Sequence, residues 1–230
     1  MKRGLIKIER ELVEVVEEIK NTTEWTVPGG CKSIDAFVVG AGGGGSSGGT
    51  YYPGTGGGGG YTELYEKIPV RPGETIHIQI GQGIQSDTLY GKGMDGESSY
   101  IINGAYSAAG GKGGTCRKGD WTDPNMGYGG DGGSGGGGPY RNGGKNGGNG
   151  TNYYDALGGR GQGSTTKCPF NDIIYSNGGN GGNDNYQSID GEINTGNGGN
   201  GGRSNKQGVS TGLPTKGGSG IVILRYMKYK

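Results

Sequence analysis

The chain has 230 residues, of which 61 are glycine and only 28% hydrophobic, and its 22 basic and 21 acidic residues leave a net charge of +1. Leu, Ile, Val and Phe together number 35, too few for a large conventional core, yet the near-zero charge removes the self-repulsion that keeps disordered chains open. No basic field is present to attract nucleic acid or an anionic membrane surface.

Residues 1–20 place Leu5, Ile8, Leu12, Val15 and Ile19 at steps of three and four, with Glu9, Arg10, Glu11, Glu14, Glu17 and Glu18 between them. That spacing predicts a short amphipathic helix whose apolar stripe serves as an oligomerisation seam. Residues 1–20 are therefore read as an attachment and oligomerisation segment, and residues 21–230 as a separate glycine-rich domain. Deleting the segment is expected to leave a folded monomer. Lys7, Glu9 and Arg10 interrupt the apolar run, so neither a secretory signal nor a membrane-inserting span is expected.

From Trp25 onward the pattern becomes that of strands. Trp25 to Gly30 reads as a strand end and turn, followed by strands at Ser33 to Gly40, Tyr61 to Ile68, Thr75 to Ile80, Ser98 to Ile102 and Ile221 to Tyr226. In the third of these, Ile76, Ile78 and Ile80 share one face, and the chain's single histidine, His77, lies on the polar one. The expected frame spans residues 21–102 and 220–227.

Residues 103–219 are read as glycine helices and their loops: above all from Gly110 to Gly202 the sequence runs in threes with two glycines per repeat, most regularly from Asn177 to Asn183 and from Asn197 to Arg203. A period of three matches an extended left-handed helix with about 3.1 Å rise per residue. Two bare edges let such helices approach until backbone groups of one pair with those of the next. The third edge, carrying Asn, Lys, Asp or Ser, is expected to face water or a neighbouring carbonyl. Gly178, Gly179, Gly181 and Gly182 are expected to pack against other glycine runs. The predicted fold is mostly β with irregular structure: a strand frame enclosing a bundle of polyglycine II helices, preceded by a short N-terminal helix.

Large side chains return where the glycine period breaks, at residues 50–55, 115–128, 139–142, 151–157, 164–177, 184–195 and 203–216. Nine Tyr and Trp residues fall there: Tyr51, Tyr52, Trp121, Tyr128, Tyr140, Tyr153, Tyr154, Tyr175 and Tyr186. Tyr and Trp offer amphipathic contact area at low side-chain entropy, which suits recognition of sugars or protein loops. Tyr51, Tyr52, Trp121, Tyr140, Tyr153, Tyr154 and Tyr186 are the receptor-binding candidates.

No catalytic or metal-binding pattern accompanies them. Residues 40–45 satisfy G-x-G-x-x-G after a strand, but glycine continues toward Gly60 where a dinucleotide site needs a helix to begin. Cys31, Cys116 and Cys168 are widely spaced and neither a zinc set nor an even disulfide framework. With one histidine on a polar strand face the familiar triads have no promising base. No enzyme activity, metal or cofactor is expected.

Residues 24–30, Glu-Trp-Thr-Val-Pro-Gly-Gly, lead into Ile34-Asp35-Ala36-Phe37-Val38-Val39 and the glycine run at 40–45. Gly60-Tyr61, Val70-Arg71-Pro72-Gly73-Glu74-Thr75 and the closing Gly217-Gly218-Ser219-Gly220-Ile221-Val222-Ile223-Leu224-Arg225-Tyr226 follow. This combination resembles the glycine-rich domain of bacteriophage tail-fibre and adhesin proteins, over about residues 21–230. The resemblance implies a strand frame holding polyglycine helices with variable loops at their ends. It further implies a tail or head fibre or adhesin subunit of a virion, made in the bacterial host and binding a host-surface glycan or protein. A homo-oligomer, for example a trimer, joined to other virion proteins at the N-terminus fits that role. A passive capsid decoration or fibre shaft is the alternative within the same fold. An ice-binding polyglycine protein is the alternative of another class, for which the loops are too large and irregular.

Overall fold

The computed structural model describes residues 10–48, 53–86, 91–115, 127–137, 166–182, 188–202 and 213–230. Their regular structure is β-strand, arranged in two antiparallel four-stranded sheets. The strands are β1 (Leu12–Ile19), β2 (Thr23–Thr26), β3 (Ser33–Val39), β4 (Thr62–Pro69), β5 (Thr75–Gln79), β6 (Ser99–Ile101), β7 (Tyr106–Ala108) and β8 (Ile221–Tyr229). The first sheet runs β1-β8-β3-β4 and the second β2-β5-β6-β7.

The helix expected within residues 1–20 is corrected over Leu12–Ile19, which form a strand paired along its whole length with β8. Val13, Val15, Val16 and Ile19 are β-branched and stiff at χ1, which favours the pleated conformation. The same residues satisfy a period of two as well as three to four. The open edge of β8 decides between the two, because its backbone groups need a ladder partner and Val15 and Ile19 then extend the inward face of Val222, Leu224 and Tyr226. In the strand, Val15 packs against the core and Ile19 is buried in it, whereas Leu12 lies on the opposite face and is exposed. Leu5 and Ile8 lie outside the described residues.

The five strands expected from the sequence are present with ends shifted by a few residues, and β7 is an addition. The core lies between the sheets, where Ile76, Ile78 and Ile80 on the predicted face meet Val27, Ile34, Ala36, Val38, Ile68, Ile101, Val222 and Leu224. Trp25 of β2 stacks edge-on against Tyr226 of β8 at 5.3 Å between ring centroids. Its indole N–H donates to Glu17 at 3.2 Å, and the Tyr226 hydroxyl donates to the same carboxylate at 2.7 Å. Burial, followed by the bond to Glu17, pushes the Tyr226 phenol up from its ordinary value. A smaller cluster covers the other face of the first sheet: Phe37, Val39, Ile221 and Ile223 pack under Cys168, Tyr175 and Phe170. β3 thus serves two cores, which accounts for its nearly continuous apolar run.

Strand ends lead into glycine segments that are neither helix nor ladder strand. Gly40 after β3, Gly60 before β4, Gly81 after β5 and Gly220 before β8 all bond to backbone groups of other such crossings. The hydrogen bonds beyond them follow a rule. The amides of Gly56, Gly57 and Gly58 donate to Gly137, Gly199 and Lys112, and those of Gly59, Gly60 and Tyr61 to Ser134, Gly196 and Ala109. Every third residue returns to the same neighbour, three residues further along it. Residues 42–47 repeat the pattern: Gly43 and Ser46 donate to Gly58 and Thr55, and Gly44 and Ser47 donate to Met94 and Gly91. A pleated strand pairs on two sides only. These segments pair on three.

Candidate binding end of the glycine segments

The polar residues that interrupt the glycine period hold the segments in place. Asn177 and Asn180 run parallel to Asn197 and Asn200, twenty residues on. The amides of Gly198 and Gly201 donate to the Asn177 and Asn180 carbonyls, and the Asn177 and Asn180 amides donate to the side-chain Oδ1 of Asn197 and Asn200 at 2.8 Å. The asparagine edge therefore accepts from neighbouring amides, where the sequence reading expected it to reach a carbonyl or water. A side-chain oxygen spaced every three residues substitutes for a backbone acceptor that two parallel segments in this register do not otherwise supply.

Asp95 does the same for another crossing. Its Oδ1 accepts the Gly113 amide and its Oδ2 accepts Lys112 Nζ, both at 2.9 Å. Burial pushes this carboxyl up, but the Gly113 amide, the Lys112 hydrogen bond and the charges of Lys92 and Lys112 outweigh it and hold the group below the usual carboxylate range. The reciprocal bond raises the Lys112 ammonium.

Away from the sheets, the crossings end in a hydroxyl cluster. The Ser46 amide donates to the Thr55 carbonyl at 2.9 Å, and the Thr55 amide returns a bond to Ser46 Oγ at 2.8 Å. Both hydroxyls reach the Thr115 carbonyl, at 3.2 and 3.0 Å. The amide and Oγ1 of Thr115 in turn donate to the Tyr128 carbonyl, and the Tyr128 amide donates back to that Oγ1. Ser47 pairs with Gly91, Gly202 donates to Ser46, and Gly182 donates to Gly54. Thr215 Oγ1 accepts the Gly45 amide and donates to the Asn200 carbonyl.

These are the flanks of segments 49–52, 87–90, 116–126, 183–187 and 203–212, gathered at one end of the molecule. Gly137, which precedes segment 138–165, sits one hydrogen bond further in, between Gly56 and Gly179. Tyr51, Tyr52, Trp121, Tyr140, Tyr153, Tyr154 and Tyr186 themselves lie outside the described residues. Of the remaining aromatic interruptions, Tyr175 is a core residue, 6.0 Å from Phe37 and bonded through its hydroxyl to Asn171. Sequence reasoning missed the stem hydroxyls of Ser46, Thr55, Thr115 and Thr215. Their signal was legible as Ser or Thr close to the border of a glycine run, after it at Ser46 and Thr115 and ahead of it at Thr55 and Thr215.

His77 stands directly opposite Glu24 across β5 and β2, with Nδ1 at 2.6 Å from Oε1. It closes a cross-strand pair. Among the described residues, no group of three His, Cys, Asp or Glu side chains could hold a metal ion.

The profile of the glycine-rich domain family matches residues 17–227. The chain belongs to this family. No curated protein shows significant similarity to it. In this glycine-rich domain, the described residues supply a scaffold held by its backbone, and residues 46–47, 54–55, 91, 115, 128, 182 and 202 are linked to one another by hydrogen bonds, whereas Thr166 bonds to Tyr175 beside the first sheet.

Proposed function

We propose that this glycine-rich domain is a structural and binding subunit of a bacteriophage particle, a fibre or adhesin whose packed polyglycine II helices present receptor-binding loops at one end. The observation that carries this reading is the hydrogen bonding that rotates to a new neighbour at each residue and returns every third. Three residues per turn is the repeat of the polyglycine II helix, and bonds in three directions are what a packed bundle of such helices needs. Glycine edges are chemically alike, so they hold a scaffold but discriminate no partner. Specificity then falls to the side chains of the interruptions, and the flanks of two of them, 49–52 and 116–126, are joined through Ser46, Thr55 and Thr115.

Particles carrying Tyr153→Ala, Tyr154→Ala or Trp121→Ala are expected to adsorb more weakly to host cells while the isolated domain keeps its melting temperature. Loss of one aromatic anchor at an interface commonly costs about 2 kcal/mol, roughly thirtyfold in affinity. Normal adsorption by particles in which these three and Tyr51, Tyr52, Tyr140 and Tyr186 are all replaced would overturn the adhesin reading. The domain would then be a decoration or shaft element.

A further inference from the structure

Each sheet has two edges, and three of the four are closed to further pairing. On β4 the pairing register with β3 shifts between Ile34 and Ala36, Lys67 takes a left-handed φ of 56°, and the strand ends at Pro69. β7 has three residues, and the Tyr65 hydroxyl occupies both the amide and the carbonyl of its central Ser107, at 3.2 and 2.8 Å. β2 has four residues. Short strands, bulges and proline are the usual devices that stop a sheet from growing.

β1 carries none of these three, and its remaining guard is charge, at Glu14 and Glu18. It has eight residues without proline, glycine or a positive φ. The amide of Lys230 donates to the carbonyl of Glu11, so that opposed pair is a hydrogen-bonded one. Alternation along an antiparallel ladder then turns the odd residues of β1 toward β8 and the backbone groups of Leu12, Glu14, Val16 and Glu18 outward. Among the described residues no backbone group bonds to this outer edge. The apolar side chains of the same four positions, Leu12 and Val16, are 45% and 42% exposed.

We propose that β1 pairs antiparallel with β1 of a second copy, joining two first sheets into one of eight strands. The occupant is argued from charge. A twofold axis through Leu12 sets Arg10 of each copy opposite Glu14 of the other, twice per dimer. An axis through Glu14 sets that carboxylate against itself between two Arg10–Glu18 pairs, and one through Val16 sets Glu14 against Glu18 twice, so only the axis through Leu12 gives opposite charges with no like pair. Directly opposed like charges weaken a strand pair and opposite charges strengthen it. The strand is therefore complementary to its own reverse.

The test uses the full chain and light scattering across a concentration series. The wild type is expected to be a dimer at micromolar concentration. Arg10→Glu is expected to weaken the dimer about tenfold or more, and Arg10→Glu with Glu14→Arg to restore it. Glu14→Pro, which removes an amide that points away from β8, is expected to give a folded monomer. Leu12→Cys provides a check that does not depend on tolerance of proline, because mild oxidation should link two copies through residue 12. A monomeric wild type would overturn the proposal, as would a dimer indifferent to Glu14→Pro and the charge exchange, or Leu12→Cys that fails to cross-link. The adhesin reading is tested separately by adsorption and stands or falls without this interface.

Discussion

At the scale of single residues, glycine acts here through the space it leaves empty. A Cβ built on Gly179 would lie 2.0 Å from the Gly199 carbonyl oxygen, and backbone cannot rotate away as a side chain can. Overpacking a well-packed site typically costs about 1–3 kcal/mol, and a backbone neighbour puts this position at the upper end. Gly179→Val is therefore expected to lower the melting temperature markedly. Gly104 provides the contrast, with φ of +89° and nothing within 4 Å of its added Cβ. Gly104→Ala should cost only the left-handed strain, about 1 kcal/mol. Equal effects of the two substitutions in thermal unfolding would contradict close backbone packing. The triplets made the first of these glycines legible. The second sits in a turn between β6 and β7 that the sequence reading did not anticipate.

At the scale of elements, the segment from Leu12 to Ile19 shows how one sequence can satisfy two periods. Apolar residues at 12, 15 and 19 satisfy a helical stripe, and those at 13, 15 and 19 an alternating strand face. The alternative partner of the β8 edge would be water, which would also leave the rim of the core at Val222, Leu224 and Tyr226 without Val15 and Ile19 beside it. Deleting residues 1–19 is accordingly expected to destabilise the domain, in place of the intact monomer that a separate helix implied. Fully burying one large aliphatic side chain contributes about 1.5–3 kcal/mol, and the deletion removes buried Ile19 together with the packing of Val15 and the Glu17 bonds to Trp25 and Tyr226. Denaturant unfolding should register about 3 kcal/mol or more. An unchanged midpoint would mean that β1 is only an appendage.

At the scale of the whole molecule, the apolar cores among the described residues lie against the two sheets, and the glycine segments are held through backbone pairing. Heat capacity of unfolding follows apolar exposure, with polar exposure working against it. An ordinary domain of this length would show about 3 kcal/mol/K. The glycine-rich domain should fall clearly below that, at about two thirds or less, while keeping a cooperative transition. Scanning calorimetry measures this directly, and an ordinary value would mean that the glycine segments conceal far more apolar surface than their composition provides.

Local pattern alone determined strands β3, β4, β5, β6 and β8, the buried face of Ile76, Ile78 and Ile80, and the close packing of glycine, because period and bare edges are properties of neighbours in the chain. It also marked where the glycine period breaks, and so where the candidate binding residues lie. Tertiary structure decided what depends on a distant partner. Whether residues 12–19 coil or extend is settled by the open edge of β8, some two hundred residues away. That Tyr175 is core, whereas Ser46, Thr55 and Thr115 tie the loop flanks together, follows from which crossings lie side by side. Periods of two, three and three to four can each be read along a sequence, but a hydrogen bond or a buried face needs both of its sides, and only the folded chain brings the second one.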